Sequence, residues 1–114
     1  MKAIIAILWV QFALGVVGSF LAFGHIHMSA MGRAWSYGMR TDYEQARQSA
    51  DYRESPPIRG YTTARFIDAM ESDARHRGEI AFGAFVGSFI VSLLAALILF
   101  LLRRARHEYA HNAA

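Results

Sequence analysis

Residues 80–102 read IAFGAFVGSFIVSLLAALILFLL, about 23 residues without one ionisable side chain. About 20 such residues cross a hydrocarbon core of roughly 30 Å as a helix. Leaving the stretch in water forfeits about 1.5–3 kcal/mol for each large apolar side chain. A second run, residues 3–23 (AIIAILWVQFALGVVGSFLAF), is interrupted only by Gln11 and Ser19. Two such segments in a chain of 114 residues leave too little for a separate globular core. The expected fold is an all-α membrane protein, a two-transmembrane-helix hairpin with a helical extramembrane loop. Its parts are a first transmembrane helix in residues 1–28, a loop with two short helices in 29–78, a second transmembrane helix in 79–106 and a polar tail in 107–114. The start, Met1-Lys2 and then apolar residues, has the form of a secretory signal. Signal cores span about 7–15 apolar residues, so this longer run favours a retained anchor.

Small residues mark the expected contact faces. Gly83 and Gly87 form GxxxG, and Ala84, Ser88, Ser92 and Ala96 follow at four-residue steps on the neighbouring stripe. In the first segment Gly15 pairs with Ser19 and Gly18 with Ala22 at the same spacing. Lipid supplies no hydrophobic force between helices, so association depends on close backbone approach, which small residues permit. Gly15, Gly18, Ser19, Gly83, Gly87, Ser88 and Ser92 are therefore the candidate helix-contact residues. Phe82, Phe85, Phe89, Leu93 and Phe100 supply bulk on the opposite side for lipid or a larger partner. Gln11, placed near mid-membrane, seeks a hydrogen-bond partner worth about 0.6 kcal/mol.

Between the segments the chain is polar. Gly24, Gly32 and Gly38 suggest a loose stretch, with Trp35 and Tyr37 as interfacial aromatics. Residues 41–53 read as a short helix opened by a Thr41–Glu44 capping box, with Arg47 and Asp51 one turn apart. Ser55-Pro56-Pro57 and Gly60 end it. Residues 63–77 form a stronger helix, with Phe66, Ile67, Met70 and Ala74 on one face. Glu71–Arg75 and Asp73–Arg77 stand as acid-then-base pairs four apart. Without a proline or cap, this helix runs on through Gly78 into the second apolar segment.

Charge limits the function. Cysteine is absent, which excludes disulfides and thiolate metal sites. The net charge is +3, and the arginines are spread among acids, so nucleic-acid binding is disfavoured. Arg103, Arg104 and Arg106 directly after the second segment form a stop signal. The loop holds more arginines than the ends but mixes them with acids. Local density at the ends places both termini in the cytoplasm and the loop in the periplasm of a bacterial inner membrane.

Chemistry-bearing motifs are sparse. His107-Glu108-Tyr109-Ala110-His111 matches H-E-x-x-H, a pattern that resembles that of zinc metalloproteases. It departs from them in lacking a downstream third ligand and residues for a cleft. His25, His27 and His76 flank the two ends of the loop and are the other weak metal or haem candidates. His25 and His27 are two apart and point to different sides of a helix. Neither apolar segment carries an ionisable residue, which argues against an ion path. No catalytic residue and no cofactor are expected. The chain reads as a non-catalytic accessory or assembly subunit, packed against larger integral membrane subunits in the lipid bilayer, with respiratory and photosynthetic complexes as the settings considered. The alternatives are a homo-oligomer active on the bilayer (a phage exclusion factor, holin or toxin) and a metal- or haem-handling membrane protein.

Overall fold

The structure, a computed structural model, describes residues 1–113. It consists of two helices, α1 (Lys2–Arg47, 46 residues) and α2 (Thr63–Ala113, 51 residues). Both are long and apolar enough to cross a membrane. Thr62 caps α2, its Oγ1 accepting from the backbone N–H of Arg65 at 3.3 Å. Residues 48–62 join the helices. Within them Ile58 and Tyr61 exchange two backbone hydrogen bonds of 3.0 Å. The two residues between, Arg59 at φ 53° and Gly60 at φ 80°, make a turn with both central residues left-handed. Glycine takes that conformation freely, whereas Arg59 is held there at a cost of about 1–2 kcal/mol.

Helix α1 does not break where the glycines suggested, and no short helix starts at Thr41. Thr41 lies inside α1 and its Oγ1 donates to the Tyr37 carbonyl at 3.0 Å. The reason is local. No proline occurs before Pro56, and each lone glycine costs a helix only about 1 kcal/mol. Met31, Arg33 and Ala34 between the glycines, and Met39 and Arg40 after the last, are strong helix formers. Helix α2 runs through Gly78 without interruption.

The chain divides into two compact units, Met1–Phe23 with the chain from Phe82 onward, and Gly24–Ala81. In the first, α1 and α2 run antiparallel: Gly15 sits against Ser88 and Ser92, and Gly18 against Ser88. Leu8, Ala22, Ser92 and Ala95 are buried there. The second unit is also an antiparallel pair. Ser29 Oγ donates to the Ala74 carbonyl at 2.5 Å, and Arg40 reaches Asp68 and Glu71. Ile67, Ala74, Ala81, Ser29 and Ser36 are its buried residues.

One spacing serves both units. On α1 the buried positions Leu8, Gly15, Ala22, Ser29 and Ser36 follow one another at seven residues. On α2 Ile67, Ala74, Ala81, half-buried Ser88 and Ala95 do the same. A repeat of seven is the coiled-coil period. Here most of the seam is Gly, Ala and Ser rather than Leu and Ile, so the backbones come close. Every buried side-chain nitrogen or oxygen among the described residues has a hydrogen-bond partner.

Enlarging Ala74 should force the Gly24–Ala81 pair apart. Ala74→Leu is expected to cost about 1–3 kcal/mol, seen as a lower thermal midpoint of helical circular dichroism in detergent. Ala30→Leu, on the exposed side of α1, should leave the midpoint within experimental scatter.

Candidate functional site

The seven candidate contact residues fall into two sets. In the first set, Gly15, Gly18, Ser88 and Ser92 meet across α1 and α2. A Cβ on Gly15 would lie 2.7 Å from Ser92 Cβ and 2.8 Å from the Ser88 carbonyl oxygen; one on Gly18 would lie 2.7 Å from Ser88 Oγ. At Gly15 no side chain fits without moving the α2 backbone, whereas at Gly18 it is the Ser88 side chain that would have to give way. Ser19 is half-buried beside them and its Oγ donates to the Gly15 carbonyl at 2.8 Å. Ser92 Oγ donates to the Phe89 carbonyl at 3.0 Å. Both hydroxyls thus satisfy themselves within their own helix.

The second set is Gly83 and Gly87. Both are exposed, and a Cβ built on either meets nothing within 4 Å. The seam positions Ala81, Ser88, Ser92 and Ala95 set the side of α2 that α1 covers. At 100° per residue, Gly83 and Gly87 fall on the far side, together with exposed Ile90, Leu94, Leu97 and Leu101. The GxxxG face is therefore free of α1. The seam includes Ala22, which stands four residues after Gly18, and also Leu8 and Ala95, which a search for four-residue spacing passes over. Their signal was the seven-residue interval.

The apolar surface is unusually open. In each helix only 11% of the most apolar stretch is buried. Phe20, Phe23, Phe82, Phe89, Leu93 and Phe100 are all exposed. Phe85 stacks on Phe89 with ring centroids 6.2 Å apart. Gln11 is exposed on α1.

The histidines do not gather. His25, His27, His76, His107 and His111 are all exposed. Among the described residues no three His, Cys, Asp or Glu side chains converge to hold a metal. His107 and His111 lie one turn apart on α2, and Arg104 Nε donates to Glu108 Oε1 at 3.1 Å. The carboxylate of the H-E-x-x-H pattern is thus engaged by a guanidinium.

Polar side chains tie the Gly24–Ala81 unit together. Arg40 donates to Asp68 Oδ1 at 2.7 Å and to Glu71 Oε2 at 2.5 Å, joining α1 to α2. Glu71 takes this partner rather than Arg75, while Asp73 bonds Arg77 at 3.2 Å. Arg47 lies 3.8 Å from Glu44, rather than pairing with Asp51, and sits over the Tyr43 ring. The Tyr43 hydroxyl donates to Glu54 Oε1 at 2.9 Å, and its ring meets Tyr52 edge to face. The hydrogen bond to Glu54 pushes the Tyr43 phenol up to about 12, helped by desolvation and Tyr52. Ionising the phenol removes the donor and sets two negative charges together. The clasp is therefore complete below pH 10, the phenol's ordinary value, and is lost as pH rises through about 12.

The chain matches no protein-family model, no curated protein and no solved structure.

Two experiments test these contacts. Gly15→Ala should lower helical stability by about 1–3 kcal/mol, whereas Gly83→Ala should not lower it, both read by denaturant titration in micelles. A difference titration of phenolate absorbance between the natural chain and Tyr43→Phe should place Tyr43 near 12. Glu54→Ala should bring it back toward 10.

Proposed function

We propose that the chain is an integral membrane hairpin that serves as a non-catalytic accessory or assembly subunit of a larger membrane complex. On this reading the apolar stretches within residues 2–23 and 80–102 lie in hydrocarbon. A crossing takes about 20 residues, and α1 and α2 have 46 and 51, so more than half of each helix lies outside the core. Both termini are cytoplasmic and residues 48–62 periplasmic, because Arg103, Arg104 and Arg106 resist transfer across the membrane.

The observation that carries the reading is the division between the two sets of glycines. Gly15 and Gly18 are consumed in pairing α1 with α2; Gly83 and Gly87 are not. In lipid a bare glycine face has value only if another helix comes close to it, since methylene tails gain nothing from the missing side chains. Exposed Ile90, Leu94, Leu97 and Leu101 extend that face for a larger partner. Arg40, Arg47 and Arg77, already committed to internal ion pairs, are not available to such a partner.

The test is purification of the tagged full chain from its native membrane in mild detergent. The natural sequence should bring down larger integral membrane subunits. Gly83→Leu with Gly87→Leu should lose them while remaining in the membrane fraction. Undiminished co-purification of the variant overturns this contact face. A homogeneous oligomer of the chain alone replaces the accessory reading with the self-assembling one.

A further inference from the structure

A groove on one flank of the unit built from residues 1–23 and the chain after Phe82 takes no part in the seam. Ile5, Trp9 and Phe12 form its α1 wall, and Phe100 is prominent on the α2 wall. Its volume is about 430 Å³. Trp9 and Phe12 meet edge to face with centroids 6.0 Å apart, which orders the α1 wall. Two cationic residues, Arg103 and Arg106, also line this apolar trough, just past the end of the apolar run of α2.

Those two charges are not neutralised from within. Glu108 is the only acid in residues 1–23 and 82–113, and it is bonded to Arg104. Arg103 and Arg106 form no ion pair among the described residues. Lys2, one turn before Ile5, adds a further cation at the same end. An occupant must therefore be apolar along its length and anionic at one tip. A second copy of this groove brings cations against cations and does not fit.

We propose that the groove holds an anionic phospholipid, with an acyl chain along Trp9, Phe12 and Phe100 and the phosphate on Arg103 and Arg106. Guanidinium forks match phosphate oxygens. Basic pockets between membrane helices hold anionic headgroups at this depth, where the apolar span gives way to charge. The inference rests on the membrane reading above, and the experiment separates the two.

Trp35→Phe leaves Trp9 as the single tryptophan. The full chain carrying this change is reconstituted in phosphatidylcholine vesicles. These contain a minor fraction of dibrominated phosphatidylglycerol or, in parallel, the same fraction of dibrominated phosphatidylcholine. Trp9 fluorescence should be quenched several-fold more by the anionic lipid. Arg103→Gln with Arg106→Gln should bring the ratio to one while quenching by brominated phosphatidylcholine persists. Arg104→Gln, whose side chain is engaged by Glu108, should keep the preference. Equal quenching by both lipids in the natural background overturns the headgroup site and leaves the membrane reading standing. So does a preference that survives the double change, or one lost equally in Arg104→Gln. Absence of quenching by either lipid overturns both.

Discussion

Two helix backbones approach closely only where side chains are small or missing, and the pairing of α1 with α2 depends on that. At Gly15 and Gly18 the opposing helix occupies the space a methyl group would need. At Ser29 the hydroxyl reaches the backbone carbonyl of Ala74 on the other helix. Seams of this kind bury little apolar area, so hydrophobic transfer contributes modestly. Dispersion contacts over many atoms, each worth about 0.1–0.2 kcal/mol, carry more of the weight. A Leu-and-Ile seam loses its driving force in lipid. A seam of Gly, Ala and Ser does not, and the same seven-residue spacing serves the apolar unit and the polar one.

The polar unit adds a second kind of bond. Arg40 is shared by Asp68 and Glu71, which stand three residues apart on α2. Each pair taken alone is a half-exposed surface bridge, worth at most about 1 kcal/mol. Their geometry contributes specificity, because one guanidinium fixes α1 against one turn of α2. Tyr43, Tyr52 and Glu54 then hold the chain after Arg47 back on the end of α1. In this way the segment before Pro56 is anchored although it has no regular structure.

Much of the helical content could be read from the sequence. The apolar runs and the absence of proline from residues 1–55 and from residue 58 onward carry that information. The length of α1 was less legible. Thr41 and Glu44 have the spacing of a capping box, but such a box acts only where the preceding residue leaves helical geometry, and Tyr37 through Arg40 do not. Ion pairs on one helix were legible in part: Asp73 pairs with Arg77, but Arg47 pairs with Glu44 rather than Asp51, because α1 ends at Arg47. They were misassigned where a partner comes from the other helix, as for Glu71, because local spacing says nothing about residues 31 positions away. The contact residues show the same limit. Four-residue spacing singles out Gly15, Gly18, Gly83 and Gly87 alike, but only the seven-residue interval from Ile67 to Ala95 tells which face of α2 is taken by α1.

The tight place at Gly15 has a mechanical meaning. A regular repeat invites slippage, since moving α1 along α2 by one period presents a similar stripe. Here that shift would carry Ala22 into the position of Gly15, and its methyl group would collide with Ser92. The glycine thus works as a detent, blocking piston-like travel of one rod along the other without adding a single bond.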